Sequence, residues 1–523
     1  MSTQIHDFII VGAGSAGCAL AHRLSSDRQT SVLVLEAGGS ERTPDVIIPA
    51  AFSKLFRSER DWNYSSDPEP HLDRRSLYIP RGKMLGGCSS MNAMIYIRGR
   101  RHDYDHWKEQ GCDGWGYDQV LPLFKRSEDN ERGADAFHGV GGPLRVSNAR
   151  DPRPLSAVFI EGAAAAGIAR NQDFNGPSQD GAGYYQVTQH RGRRWSTASA
   201  FLRPAMRRRN LTVLTRAMAA RVVLDSGRAV GVQYVKGNQV HIARARREVI
   251  LASGAIGSPQ LLMLSGIGPA DHLRAVGVPV AVDLPAVGDN LQDHPYVSQV
   301  WESKRGDTLA DAESPRNVLA FLTARRGPLT SNVAESGAFV HSKPGLPAAD
   351  IQYHFVPGYF VDHGFDQHPG HTFTMGTTLI APESRGRLRL RSADPWARPS
   401  IVGNHLSTQS DMDAMIRGIE IGRSIAATRP FEPFRGAELF PGPGVKSRSE
   451  LEAFVRRATE LLYHPSGTCR MGADEGSVVD PQLRVRGVDN LRVADASIMP
   501  VVIGGNTNAP SIMIGERAGD LLA

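Results

Sequence analysis

The sequence predicts an α/β protein whose main domain is discontinuous and which carries a second, smaller α+β domain. Three observations predict it. A buried-strand pattern runs into a glycine-rich turn and an Ala/Leu-rich helix at the start of the chain; further glycine-rich segments lie at 254–268 and 504–510, downstream of apolar strands; and in the middle of the chain Pro, Arg and aromatic residues replace these motifs. The 523 residues suffice for about two to four domains. With 41% hydrophobic and 22% charged residues the composition is that of a folded globular chain, and its 54 glycines and 33 prolines imply many tight turns and close backbone approaches.

Charge and cysteine usage narrow the partners. The net charge of +6 is thinly spread, and the clusters Arg207–Arg209 and Arg244, Arg246, Arg247 carry no interleaved aromatic residues, so no nucleic-acid partner is expected. No apolar run reaches the length of a membrane span, which excludes a transmembrane helix and leaves peripheral membrane association open. Met1–Gln4 is polar and a strand pattern begins by Phe8, so no signal peptide is expected. Cys18, Cys88, Cys112 and Cys469 have neither disulfide-framework nor metal-ligand spacing, so a cytoplasmic, reducing compartment is expected.

The elements follow in order. Phe8–Val11 reads as a buried strand, Gly12-Ala13-Gly14-Ser15-Ala16-Gly17 as a turn, the segment to Leu24 as a helix, and Ser31–Leu35 as a second buried strand that closes on Glu36 and Ala37. Gly12 permits the tight turn, Gly14 lets a pyrophosphate approach the backbone, and Gly17 allows close helix–strand packing. The helix opening at Ser15 and Ala16 points its N-terminus at negative charge, and Glu36 would accept from ribose hydroxyls. This is a Rossmann-like dinucleotide unit; the acid disfavours NADP, and the unit alone leaves NAD and FAD open. A second glycine-rich loop spans Arg81–Asn92, a third segment follows the strand Val249–Ala252, and Leu491–Ser497 precedes Gly504–Pro510 and a final helix.

From the first strand to the last helix, these motifs resemble the glucose-methanol-choline (GMC) family of FAD-dependent oxidoreductases, above all its bacterial choline dehydrogenases and broad-range alcohol dehydrogenases and oxidases. The segments Gly82–Tyr96 and Gly254–Gly268 look like the family's two signature patterns, Cys88 being the main departure. Tyr463–Gly472 and Asn506–Glu516 match its two active-site segments. The resemblance implies FAD, held non-covalently because Met91 stands where some relatives carry a flavin-linked histidine. It places Gly86, Gly87, Ser90 and Asn92 along flavin and pyrophosphate, Val222 at the adenine through its backbone, and Asp495 and Ala496 at the phosphate and ribityl region, with Ala252 and Asn508 also expected at the cofactor. It divides the chain into an FAD-binding domain at 1–148, 196–296 and 460–523, the last with the catalytic residues, and a substrate domain at 149–195 and 297–459.

The expected chemistry follows from residue types. Alcohol oxidation by hydride transfer needs a base for the departing hydroxyl proton, and histidine, with an ordinary pKa of about 6.5, suits the task. Of 17 histidines, His464 falls in the matching segment, and Asn508 is expected as its partner, fixing the substrate oxygen. Pro510 suits the first turn of the final helix. The expected reaction converts a neutral aliphatic or aromatic primary alcohol to the aldehyde, with oxygen, a quinone or another electron acceptor. Choline is the alternative substrate, for which Glu335 matches the family's carboxylate position, and Trp62, Tyr353, Phe355 and Tyr463 are expected in the substrate pocket. The resemblance also admits FAD-containing hydroxynitrile lyases. No metal is expected, because His102 and His106 have helical spacing without a third ligand, and no GxSxG elbow follows a strand.

Overall fold

The computed structural model describes residues 5–523; the polar lead Met1–Gln4 lies outside them. Two seven-stranded sheets organise the chain. In chain order their strands are β1 (Ile5–Val11), β2 (Val32–Glu36), β3 (Gly181–Tyr184), β4 (Leu211–Thr215), β5 (Ala217–Asp225), β6 (Arg228–Lys236), β7 (Gln239–Leu251), β8 (Pro295–Ser303), β9 (Ser336–Val340), β10 (Ile351–Val356), β11 (Thr372–Leu379), β12 (Arg435–Phe440), β13 (Glu460–Leu461) and β14 (Leu491–Val493). The helices that matter to the site are α1 (Ser15–Leu24), α2 (Pro154–Ala165), α3 (Gly254–Leu264), α4 (Gln409–Ala426) and α5 (Asn508–Leu522).

The first sheet has the order β4-β2-β1-β7-β6-β5, with β14 also on β7. Its parallel centre sets Phe8–Val11 against Val32–Leu35 on one side and Glu248–Leu251 on the other. These strands are covered on both faces and therefore read as continuous apolar runs. Helix α1 connects β1 to β2 and packs against α5, so the last helix lies on the first. Gly515 allows that contact: a Cβ there would sit 2.3 Å from the Ala16 carbonyl oxygen.

The second sheet, β12-β8-β11-β10-β9-β3 with β13 on β8, is antiparallel throughout. Helices α2 and α4 pack against it. On this side Phe355 stacks on Phe159 of α2 at 4.9 Å, and the Tyr353 hydroxyl donates to the Gly418 carbonyl of α4. The opposite face of β10 looks into the space between the sheets. Strands β8 and β13 overlap the expected boundaries near 296 and 460 by two residues each, and there they pair, Pro295 with Leu461 and Tyr296 with Glu460. The chain thus crosses between its two sheets at adjacent points, which brings together the residues just outside that pair. Among the described residues no helix is long and apolar enough to cross a membrane.

Candidate active site

One continuous cavity lies between the sheets, and its two ends are built differently. At the first end the wall is mostly backbone. Gly12 sits at φ +104°, and a Cβ there would lie 2.5 Å from the Ala252 carbonyl oxygen, so only glycine fits. Gly17 permits α1 to start against the turn, where a Cβ would meet the Gly12 carbonyl oxygen at 2.0 Å. From the other side Gly87 brings its loop onto Gly14, with Gly86 behind it in the left-handed region at φ +85°. The first residues of α1, α3 and α5 all line the cavity, and none of these helices carries an acid in its first turn. Three partially positive helix ends therefore face the same space.

Two buried carboxylates hold this end. Glu36 accepts from the backbone of Ala13 at 2.8 Å and of Gly38 at 2.7 Å. Asp495 accepts from the backbone of Gly254 at 2.9 Å and of Ser497 at 2.8 Å, and from the Ser258 hydroxyl at 2.6 Å. Burial raises the pKa of both. Ser15, Ala16, Ala37, Gly87, Asn92, Ala252, Ala496 and Asn508 also line the cavity. Ser90 does not; buried behind the loop, it donates to the Leu85 carbonyl. Val222 is a correction: its backbone N–H is taken by the Ser265 hydroxyl at 2.8 Å, and Ala217–Ala219 of the same strand reach the cavity in its place.

At the other end the wall is a side-chain network. His464 and His294 stand at the crossing point, their Nδ1 atoms 2.9 Å apart, and the Asp293 carboxylate accepts both of their backbone N–H groups at 2.7 Å. Nε2 of His464 lies 3.3 Å from Nδ2 of Asn506. Asn506, two residues before the expected partner Asn508, thus joins the site. Asn508 itself is inside the first turn of α5, where it lines the same cavity and its Oδ1 accepts from the Ser15 hydroxyl at 2.7 Å. Burial, with His294, His354 and Arg81 nearby, holds the His464 pKa well below the ordinary histidine value. Burial also pulls His294 and His354 down to about 3 and pushes Asp293 up to about 7.

Three further expectations are corrected. Tyr353 and Phe355 point to the helix-covered face of β10, because a strand alternates its side chains and α2 and α4 bury that face; His354 and Val356 line the cavity. Glu335 is fully buried outside the cavity, where its carboxylate accepts from the Arg153 backbone, the Ser156 hydroxyl and the Ser331 hydroxyl, so it ties α2 to the strand that follows it. Trp62 and Tyr463 do line the cavity. Trp62 stacks on Tyr64, and the Tyr463 hydroxyl lies 2.6 Å from Nδ1 of His363. Around His464 the wall is completed by Phe52, Phe56, Met91, Val333, Val356 and Phe360. Among the described residues lining the cavity, the only carboxylates are Glu36 and Asp495.

Family models described as GMC oxidoreductase match residues 6–296 and 382–515. The chain belongs to the GMC oxidoreductase family. It is 45% identical to an alcohol dehydrogenase [acceptor] of Pseudomonas putida, over 99% of this chain and 96% of that one. It is also 45% identical to the mitochondrial choline dehydrogenase of Homo sapiens, over 100% of this chain and 90% of the relative. Among solved structures, pyridoxine 4-oxidase from Mesorbium loti superposes with a TM-score of 0.91 at 32% identity, covering 98% of each chain. This GMC oxidoreductase is accordingly an FAD-dependent enzyme of the alcohol and choline oxidoreductase type. Its cavity fits that cofactor: three helix N-termini, and a turn in which Gly12 packs onto the Ala252 backbone while Gly14 lines the cavity without a side chain, suit a pyrophosphate.

Proposed function

We propose that this enzyme oxidises a neutral primary alcohol, aliphatic or aromatic, to the aldehyde. The observation that carries the reading is His464 Nε2, hydrogen-bonded by the Asn506 amide within an apolar wall that has no free carboxylate. When bound, FAD, held without a covalent bond, supplies the hydride acceptor at its N5. His464 takes the hydroxyl proton at Nε2, and its lowered pKa keeps that nitrogen unprotonated at neutral pH. The Asn506 amide donates to the substrate oxygen and orients it. The apolar wall excludes water and receives the alcohol's carbon chain or ring. A choline cage needs a carboxylate facing the trimethylammonium group, and Glu335 is already engaged by three donors away from the cavity.

The test is anaerobic flavin absorbance with choline, aliphatic and benzylic alcohols added in turn. Bleaching by neutral alcohols, with choline weak or silent, is the expected result. Bleaching by choline alone would replace this reading with choline dehydrogenation.

A further inference from the structure

The orientation of the Asn506 amide beside His464 can be followed outward to a backbone carbonyl on the second sheet. The Tyr185 hydroxyl lies 2.7 Å from the Tyr353 carbonyl oxygen, which can only accept, so the hydroxyl proton points there. Gly337 makes this approach possible: a Cβ would sit 2.1 Å from the Tyr185 oxygen. With its proton spent, Tyr185 presents a lone pair to Gln352, whose amide nitrogen lies 3.0 Å away. The second N–H of the same nitrogen points at the Asn506 side chain at 3.2 Å and requires an acceptor, which fixes Oδ1 of Asn506 on that side. The Nδ2 of Asn506 is thereby turned to His464 Nε2, which must accept. The His464 proton then sits on Nδ1, within reach of His294 Nδ1.

Tyr185 and Gln352 are fully buried, and Gln352 keeps Oε1 without a partner. Flipping its amide would exchange two donated hydrogen bonds for a carbonyl facing two acceptors, so the orphaned oxygen marks the orientation the network enforces.

Resting on the reading of His464 as the base, we propose that Tyr185 and Gln352 are positioning residues that lock the Asn506 amide and so hold His464 in the tautomer with its proton on Nδ1 and Nε2 unprotonated. The second sheet then does more than enclose substrate. It sets the protonation state of a residue on the C-terminal segment.

The test compares Gln352→Met, which keeps length but cannot donate, and Tyr185→Phe, which is nearly isosteric, in the FAD-loaded enzyme. In either variant the Asn506 amide is free to turn its oxygen toward Nε2, which stabilises the protonated form. The acid limb of the pH profile for flavin reduction should move up by on the order of one pH unit. His294, His354, Arg81, Asp293 and Tyr463 face His464 in both variants as they do in the parent, so the difference reports the amide. In an Asn506→Ala background Gln352→Met should add no further shift, whereas a packing defect would add its own.

A second readout is independent of turnover. In 15N-histidine-labelled protein, the unprotonated Nε2 resonance that disappears in His464→Asn should move toward the protonated range in Gln352→Met. Folded variants with an unmoved limb and an unmoved resonance would overturn the proposal, as would an additive effect on Asn506→Ala. If His464→Ala left flavin reduction intact, the functional reading would fail, and the resonance would still decide the tautomer lock.

Discussion

The two ends of the cavity solve the same problem, holding polar groups still away from water, with opposite materials. The glycine-turn end uses backbone: absent Cβ atoms, three helix N-termini, and two carboxylates that bind backbone N–H groups. The catalytic end uses side chains from five separate stretches of chain, around Tyr185, His294, Gln352, His464 and Asn506. Each piece of a backbone site is local in sequence and leaves little room for an added atom. A side-chain network is dispersed, and its function depends on which way each amide and imidazole faces.

Single substitutions at the two ends should break different things, and the largest effects come first. His464→Ala should lower the rate of flavin reduction by about 10²–10⁴-fold with FAD retained. Gly12→Ala should do the reverse, because φ +104° and the Ala252 carbonyl leave no room for a methyl group: FAD is lost on gel filtration while His464 stays in place. Comparable loss of cofactor in both variants would erase the distinction.

The two asparagines sharpen it. Asn506→Ala should slow flavin reduction by about 10²-fold at unchanged FAD content, the scale of losing one oriented donor. Asn508→Ala should mainly weaken FAD retention through its lost contact with Ser15. Finding the two effects exchanged would return Asn508 to the catalytic position.

The smallest effect concerns acid. Histidines whose pKa burial lowers and carboxylates whose pKa burial raises respond to pH with opposite signs; the glycine-turn end holds Glu36 and Asp495, and the catalytic end holds both kinds. His354, pulled to about 3 by burial, binds fewer protons folded than unfolded below about pH 6.5, so its contribution to stability is present above that pH and is lost progressively as pH falls toward 3. Glu36 and Asp495, raised by burial, weigh against the folded state as pH rises. Asp293, raised to about 7, offsets part of the histidine trend, so the difference between parent and His354→Gln isolates the term. Between pH 6.5 and 5 that difference in unfolding free energy should move toward the variant by about 2 kcal/mol at most. Parallel stability curves would show that His354 is protonated without penalty.

The sequence was most legible where chemistry is local. Gly12, Gly14, Gly17 and Glu36 could be read because one turn and one strand supply the whole arrangement, and His464 because it falls in a short matching segment. Asn506 was not singled out beside Asn508: both lie in one segment, and only the start of α5 sets Asn508 Oδ1 on Ser15 and Asn506 Nδ2 beside His464. For Tyr353 and Phe355 the alternation of the strand was visible, but its outward face was set by α2 and α4, which arrive from elsewhere in the chain. Glu335 had a matching motif and the wrong surroundings. His294, Gln352 and Tyr185 carry no local signal, since their roles arise only where β8 and β13 pair and where Gly337 lets a hydroxyl approach.

The apolar part of the wall has a different standing from the network beside it. Phe52, Val333 and Phe360 belong to connecting segments between the sheet strands and take no part in the chain of hydrogen bonds that ends on His464. Changes there alter what fits without altering how the proton is taken. The scaffold is therefore divisible for selection: variation in these segments can move an ancestor from one alcohol to another while β10 and the C-terminal segment stay fixed, and a library confined to them is the economical route to a new substrate.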